Sequence, residues 1–218
     1  LKNAFCIGKD QLFYPSPYIG DMGDVRTVKA LKESVKRMEE LLEVKPEIVA
    51  CDMHPSYNTR AAAEEMGLPV FPVQHHYAHI LSCMAENEWT TKKKVIGVSF
   101  DGTGYGTDGT IWGGEILLAD YDSFKRWGCI EPFAQTGGDA SAKEGWRIAV
   151  SLLGKIYGKE IALSIIETLG LCESKLAKLQ FTMEERGINT VKSTSAGRLF
   201  DAVSAILGIR KASTFEGE

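Results

Sequence analysis

The stretch that decides the fold covers residues 95–121 and has the sequence VIGVSFDGTGYGTDGTIWGGEILLADY. Two apolar runs, residues 95–100 and 110–121, flank a glycine-rich segment, an order typical of two strands joined by a turn. The four glycines of residues 101–109 predict a turn whose backbone N–H groups are free to face an anion. Asp101 follows the first run directly, where a carboxylate can hold a divalent ion against a phosphate. A hairpin tip with turn-stabilising aspartates is the alternative.

On the N-terminal side of this hairpin the pattern alternates between helix and strand. Residues 5–14 predict a strand hairpin, residues 26–44, 57–66 and 75–88 predict helices, and residues 47–51 and 68–73 predict strands. Such alternation indicates an α/β fold with a parallel component. The polar residues 90–94 form a linker, so we expect a first lobe over residues 1–90 and a second over residues 91–218.

On the C-terminal side, residues 124–132 predict one more strand, and the rest of the chain is helical in pattern. The four predicted helices cover residues 144–156, 160–169, 174–186 and 196–207. The second lobe is therefore expected to combine a strand hairpin with several helices.

The composition excludes several classes of protein. The chain has 218 residues, 44% of them hydrophobic, and a formal net charge of −4, which gives no general attraction for nucleic acid or an anionic membrane. We expect no membrane span, because no apolar run approaches ~18 residues, and no signal peptide, because the N-terminus lacks the basic, apolar and small-residue regions of one. This indicates a cytoplasmic protein. The five cysteines are odd in number and lack a CxxC pair, so we expect buried, reduced thiols.

Three of the four histidines lie within five residues, at His75, His76 and His79. In a helix His75 and His79 are one turn apart on one face, a spacing that lets two imidazoles bind one cation. A carboxylate must complete such a site, and Asp101 would give the two-histidine, one-carboxylate set that leaves positions open for substrate. The alternative is a polar helix start whose histidines bond to backbone carbonyls.

Two further segments have the chemistry of anion or nucleotide contacts. Residues 135–144 combine a glycine turn with a helix start, where Gly138, Asp139 and Lys143 could meet an anion, and Lys143 would share a helical face with Arg147. An ordinary capped loop is the alternative. Ser195 is a natural N-cap of the last helix. Within that helix Arg198 and Asp201 are either a surface pair or a cleft pair that positions a nucleotide.

Seven ordered motifs carry a resemblance to a known family. They are LKNAFC (residues 1–6), CDMHP (51–55), VQHHYAH (73–79), FDGTGYG (100–106), WGGE (112–115), GRLFDA (197–202) and FEG (215–217). Together they resemble the C-terminal transferase domain of the HypF family of hydrogenase maturation carbamoyltransferases. The resemblance extends over essentially the whole chain and implies an actin-like, sugar-kinase-like fold with two lobes and a nucleotide in the cleft.

The resemblance also implies a reaction. In the family, carbamoyl phosphate and ATP give carbamoyl-adenylate at a separate domain, and this domain moves the carbamoyl group to the C-terminal cysteine thiol of the partner HypE. The product becomes the cyanide ligand of nickel–iron hydrogenase.

By motif match, His75, His79 and Asp101 correspond to ligands of a divalent metal, zinc or iron. The segment Asp101, Gly102, Thr103, Gly104 and Gly106 corresponds to phosphate contacts, and Gly138, Asp139, Lys143, Arg198 and Asp201 complete the expected nucleotide-binding set. No catalytic residue is assigned from the sequence.

The sequence also departs from the family pattern. It lacks the acylphosphatase-like, zinc-finger and adenylate-forming domains, and it ends before a final glycine-rich nucleotide loop and a later metal-binding aspartate. We therefore expect an incomplete second lobe and no turnover from carbamoyl phosphate and ATP by this chain alone.

Four other functions remain open. They are O-carbamoyl transfer, threonylcarbamoyl transfer to tRNA, a catalytically incomplete nucleotide-binding or docking fragment, and a sugar-kinase-like ATPase whose histidines are structural. The tRNA function fits poorly, because the only dense cationic run is residues 92–94.

Overall fold

The structure, a computed structural model, describes residues 3–214, and the chain divides into two compact units, Leu1–Gln74 and His75–Glu218. Residues 1–2 of the first motif and the motif at residues 215–217 lie outside the described residues. The histidine helix belongs to the second unit here, whereas the sequence pattern places it at the end of the first lobe. The division of lobes at residue 90 stays a prediction.

The first unit contains the predicted hairpin and the predicted parallel pair. Strands β1 (Cys6–Lys9) and β2 (Leu12–Pro15) pair antiparallel, and strands β3 (Val49–Asp52) and β4 (Val70–Val73) pair parallel, which confirms the predicted parallel component. Helix α1 (Val25–Leu42) begins where the Asp24 side chain accepts a hydrogen bond from the Arg26 N–H, and helix α2 (Asn58–Glu64) follows β3. A small core of Met22, Leu31 and Ala62 joins the helices.

The second unit is built on a five-stranded sheet. Its strands are β5 (Val95–Tyr105), β6 (Ile111–Ala119), β7 (Phe124–Cys129), β8 (Phe133–Thr136) and β9 (Thr190–Ser193). Their order is β5-β6-β9-β8, and β7 also pairs with β6. The helices are α3 (His75–Glu86), α4 (Gly145–Tyr157), α5 (Lys159–Leu169), α6 (Ser174–Arg186) and α7 (Ala196–Ile206), with a 3-10 helix at Gly138–Ala142.

Helix α4 is the centre of the larger core. Its consecutive residues Ile148, Ala149 and Val150 are all fully buried, so this helix is covered on several sides. Ile166 of α5 and Phe181 of α6 pack into the same cluster. Burial of this apolar surface is the main force that holds the helices on the sheet.

The sequence pattern does not predict two of the strands. Strands β8 and β9 have only four residues each, and both contain threonine and other polar residues, so neither shows a usable alternation. These two strands pair with each other although three α-helices lie between them in the sequence. Pairing at this sequence distance depends on the tertiary fold, which the local pattern cannot report.

Three other expectations from the sequence are wrong. Strand β5 continues to Tyr105, so the glycine-rich segment is mostly strand rather than turn. Helix α4 begins at Gly145 after the N-cap Glu144, which leaves Lys143 outside it and off the face of Arg147. Cys6, Cys83 and Cys129 are exposed, and the other two cysteines are only partly buried, although all five are free thiols.

Within residues 3–214, no helix is both long enough and apolar enough to span a bilayer.

The core of α4, α5 and α6 gives a first prediction. Ile166→Ala removes a fully buried side chain and leaves a cavity, so it should lower the free energy of unfolding by about 2–5 kcal/mol in urea titrations followed by circular dichroism. Ile161→Ala, on the exposed side of the same helix, is the matched control and should change it by less than about 0.5 kcal/mol. Equal losses in the two variants would contradict this assignment of the core.

Candidate functional site

An irregularity in strand β5 creates the site. Phe100 pairs with Gly114 and Gly104 pairs with Trp112, so Asp101, Gly102 and Thr103 lie opposite the single residue Gly113. Such a bulge bends the strand and redirects its side chains. Asp101 therefore lies inside a strand rather than at its end, with its carboxylate turned to helix α3.

Helix α3 is held beside β5 by close packing. Ile80 lies over Gly97, and a Cβ atom at position 97 would be 2.3 Å from its Cδ1. The Tyr77 hydroxyl donates a 2.7 Å hydrogen bond to the Asp120 carbonyl just beyond the end of β6. These contacts fix the helix so that its first turn faces the bulge.

The structure brings the three predicted metal ligands together. The Nε2 atoms of His75 and His79 are 3.2 Å apart, as the one-turn spacing predicts. The Asp101 Oδ2 atom lies 3.0 Å from His75 Nε2 and 3.9 Å from His79 Nε2. All three ligand atoms are within 4.8 Å of one another.

This triangle suits a single divalent ion. Two imidazole nitrogens bound to one ion at about 2.1 Å each lie about 3.0–3.4 Å apart, depending on the coordination angle, and the 3.2 Å between His75 and His79 falls in this range. Two neutral histidines and one carboxylate are the donor set that accommodates zinc or iron and leaves positions open for substrate. The His79 side chain is 58% exposed, so the cluster is accessible from solvent.

The charges of the site favour a cation. The hydrogen bond with His75, helped by the Gly102 N–H, outweighs burial and lowers the pKa of Asp101 to about 2. Asp101 is therefore an ionised carboxylate at neutral pH. Burial, and secondly the neighbouring His75, lowers the pKa of His76 to about 4. His76 is fully buried and neutral, and its ring lies against Gly104 of β5 and 6.4 Å from the Trp112 ring.

Two of the predicted phosphate-binding glycines have a packing reason to be glycine. A Cβ atom at position 104 would lie 2.3 Å from His76 Cε1, and one at position 106 would lie 2.3 Å from Trp112 Nε1. The N–H of Gly106 already donates to the Thr110 carbonyl at 2.9 Å, and that of Gly102 donates to Asp101 Oδ1 at 2.6 Å. The amides of Gly102 and Gly106 are therefore already bonded within the protein, and phosphate contact by the segment stays a prediction.

Arg198 and Asp201 lie next to the bulge and form a partly buried pair. Arg198 Nη1 is 2.7 Å from Asp201 Oδ2, and the two side chains are 15% and 19% exposed. Arg198 also donates to the Ala142 carbonyl, and its Nη2 atom would lie 3.2 Å from a Cβ at Gly102. Burial outweighs the neighbouring guanidinium and raises the pKa of Asp201. The pair is therefore partly buried, Arg198 is a cation held beside the bulge, and the nucleotide role of Arg198 and Asp201 stays a prediction.

The other predicted nucleotide contacts, Gly138, Asp139 and Lys143, lie in the segment just before helix α4. Gly137 and Gly138 have positive φ values of 113° and 56°, which explains the glycine pair as a turn requirement. The short 3-10 helix Gly138–Ala142 approaches the site at its end, through the Ala142 carbonyl bonded to Arg198. The nucleotide role of Gly138, Asp139 and Lys143 stays a prediction.

Sequence reasoning missed a buried ionic group behind the bulge. Glu115 is fully buried, and its carboxylate accepts hydrogen bonds from Arg126 Nε at 2.7 Å, the Gly113 N–H at 3.2 Å and the Thr194 hydroxyl. The Arg126 guanidinium also stacks 4.2 Å from the centre of the Trp112 ring. The WGGE motif contained the signal, since a glutamate between strand-forming apolar residues must be paired if it is buried.

The fold and the site together define an α/β domain that carries a two-histidine, one-carboxylate cluster at a bulged strand. The model for the "HypF Kae1-like domain" matches residues 1–86, and that for the "Carbamoyltransferase, Kae1-like Domain, second subdomain" matches residues 97–218. The chain belongs to the HypF carbamoyltransferase family, as the sequence motifs indicated. The Kae1-like domain is an actin-like α/β fold, which confirms the predicted fold class.

Individual relatives agree with this assignment. The chain is 35% identical over 218 residues to the carbamoyltransferase HypF of Rhizobium leguminosarum bv. viciae, covering 100% of this chain and 28% of that protein. The crystal structure of T. kodakarensis HypF matches with a TM-score of 0.89 at 35% identity, covering 100% of this chain and 30% of that one. A full-length HypF structure in the phosphate- and nucleotide-bound form matches with a TM-score of 0.90 at 38% identity, covering 99% and 28%. The chain thus spans under a third of the length of these three relatives.

The buried carboxylate behind the bulge generates a second prediction. Glu115→Ala leaves Arg126 and the Thr194 hydroxyl without their acceptor, so it should lower the free energy of unfolding by about 3 kcal/mol or more in urea titrations. Glu131→Ala, which removes an exposed partner of Lys155, should leave the free energy of unfolding unchanged within error. Similar small effects in both variants would show that Glu115 is not the buried centre of an ionic group.

Proposed function

We propose that this chain binds one divalent metal ion through His75, His79 and Asp101 and transfers a carbamoyl group from carbamoyl-adenylate to the C-terminal cysteine thiol of a HypE-like partner. The observation that carries the proposal is the convergence of the three ligand atoms within 4.8 Å, from a helix and a strand separated in sequence. The name of the relatives, carbamoyltransferase HypF, supports carbamoyl as the transferred group.

The proposed reaction is an acyl transfer. The cysteine thiolate attacks the carbamoyl carbon, a carbon–sulfur bond forms, and the bond between that carbon and the adenylate phosphate oxygen breaks. AMP leaves with the electron pair of the broken bond. A divalent ion held by the cluster would stabilise the negative charge on the phosphate oxygens as AMP departs.

The protein's own residues would hold and orient the substrate. Arg198, fixed beside Gly102, offers a cation suited to a phosphate of the adenylate, since a guanidinium matches phosphate geometry. Thr103, on the same bulge, is exposed, and its hydroxyl, which donates to the Gly102 carbonyl at 2.5 Å, would have to turn to reach a phosphate oxygen. That a solved relative binds phosphate and nucleotide supports a nucleotide-derived substrate for this chain.

The acceptor and the cellular location rest on the family resemblance. A thiol on a HypE-like protein is the acceptor that the resemblance implies, and hydrogenase maturation in the cytoplasm is the corresponding setting. The net charge of −4 gives no support to tRNA as the acceptor. O-carbamoyl transfer differs only in the acceptor atom, so an acceptor experiment must separate the two.

The metal site gives a third prediction. Wild-type protein reconstituted with Zn²⁺ or Fe²⁺ should retain about one equivalent after gel filtration, measured by plasma emission spectrometry. His75→Ala and His79→Ala should each weaken binding by at least about 100-fold, because even the loss of an outer-shell partner costs about 10–100-fold.

His54→Ala is the matched control for these variants. His54 stacks on Tyr57 in the first unit, and its removal should leave the metal content unchanged. Equal metal content in the wild type, His75→Ala and His79→Ala would refute the proposed metal site.

The acceptor gives a fourth prediction. The metal-loaded protein, supplied with carbamoyl-adenylate labelled in the carbamoyl carbon and with a HypE-like acceptor, should place label on the C-terminal cysteine, located by mass spectrometry of the tryptic peptides. Acceptor protein with that cysteine replaced by alanine should remain unlabelled. His79→Ala should lower the rate by at least about 100-fold, as removal of a metal ligand lowers charge stabilisation at the leaving phosphate.

Two outcomes would overturn this assignment. Label on a hydroxyl of the acceptor would favour O-carbamoyl transfer. Binding of metal and adenylate without transfer to any acceptor would favour a nucleotide-binding docking fragment.

A further inference from the structure

The bulge in β5 leaves two backbone carbonyls for a partner other than strand β6. The ladder between β5 and β6 is interrupted from Phe100 to Gly104. The Ser195 hydroxyl lies 2.7 Å from the Gly102 carbonyl oxygen and 3.3 Å from that of Asp101. Ser195 is fully buried, so its hydroxyl has a fixed set of neighbours rather than water. The adjacent Thr103 hydroxyl also donates to the Gly102 carbonyl, at 2.5 Å, so Ser195 is the partner that ties this carbonyl to another element of the fold.

The same hydroxyl also begins helix α7. Ser195 Oγ accepts a 3.0 Å hydrogen bond from the Arg198 N–H, the usual bond of an N-cap serine. One side chain therefore links the start of α7 to the peptide that carries Asp101. A change at position 195 affects the bulge and the helix start together.

The bulge is enclosed at distances that only glycine permits. A Cβ atom at Gly197 would lie 2.9 Å from Gly102 Cα, and one at Gly113 would lie 2.6 Å from the Asp101 carbonyl oxygen and 2.9 Å from Ser195 Cα. Strand β6 and the start of α7 thus hold the Asp101–Gly102 peptide between them. In such close packing, a displacement of Ser195 is transmitted directly to this peptide.

Ser195 is itself fixed by the buried ionic group behind the site. The neighbouring Thr194 donates its N–H to the Ile111 carbonyl at 2.9 Å and its hydroxyl to the Glu115 carboxylate. The Ser195 N–H donates to the Ser193 hydroxyl at 3.2 Å. The preceding residue Thr194 and the backbone of Ser195 are therefore both held by hydrogen bonds.

We infer that Ser195 is a positioning residue for Asp101: its hydroxyl holds the Gly102 carbonyl so that the Asp101 carboxylate faces His75 and His79. The Gly102 amide is a direct probe of the carboxylate position, because its N–H donates to Asp101 Oδ1 at 2.6 Å. The inference deepens the proposed function, since Asp101 is there a metal ligand. Capping of helix α7 by Ser195 does not require its bond to the Gly102 carbonyl. Loss of that bond therefore tests the positioning role separately from the capping role.

The experiment compares Ser195→Ala and Ser195→Gly with the wild type. Glycine is nearly as good an N-cap as serine, so Ser195→Gly removes the bond to Gly102 while the helix start is largely kept. Ser151→Ala is the matched control, because it deletes another buried hydroxyl, which donates to Glu184 at 2.5 Å in the helical core. Amide hydrogen exchange at Gly102 is measured by NMR on metal-free protein, and Co²⁺ affinity is measured by the absorption spectrum of the bound ion.

Both Ser195 variants should exchange the Gly102 amide about 10-fold faster than the wild type, the effect of losing one buried hydrogen bond. They should bind Co²⁺ about 10–100-fold more weakly, with a changed spectrum as the carboxylate ligand is displaced. Ser151→Ala should resemble the wild type in both measurements.

Gly102 exchange in the Ser195 variants that matches Ser151→Ala would overturn the inference. So would wild-type Co²⁺ affinity and spectrum in the Ser195 variants when the wild type binds the ion. Wild-type protein that binds no metal would overturn the proposed function instead, and Gly102 exchange in the metal-free protein would still decide the role of Ser195.

Discussion

The site depends on one irregularity, the bulge in β5 that turns the Asp101 carboxylate to the first turn of α3. A regular strand would alternate its side chains across the sheet, with no extra residues to redirect position 101. By placing three residues opposite Gly113, the bulge gives the carboxylate a direction that places it 3.0 Å from His75. The two histidines come from local helix geometry, whereas the third ligand depends on tertiary packing.

The parts of the fold set by local chemistry could be predicted from the sequence. The one-turn spacing of His75 and His79 places them on one helix face without any tertiary contact. Helices α5, α6 and α7 begin within about a residue of their predicted starts. The structure also brings Asp101 to the two histidines. The sequence pattern predicts this residue at the end of a strand, whereas in the structure it lies within one.

The parts set by distant contacts could not be predicted in this way. Glycine is a poor strand former, so the pattern of Gly102, Gly104 and Gly106 suggested a turn. In the structure Gly104 gives His76 room and Gly106 gives Trp112 room, needs that appear only when α3 and β6 lie beside β5. The local pattern does not predict strands β8 and β9 for the same reason, because their pairing joins segments separated by three α-helices.

A buried charge usually costs free energy, so the position of Glu115 calls for an explanation. A core of apolar residues at this point would be expected to fold as well, but it would offer no directional bond to Thr194. Glu115 instead accepts from both strand and loop, and Thr194 precedes Ser195, whose hydroxyl meets the bulge. Hydrogen bonds fix angles, whereas apolar contacts mainly fix distances. A site that must aim one carboxylate at two imidazoles benefits from that directionality, which accounts for a buried ionic group behind an exposed cluster.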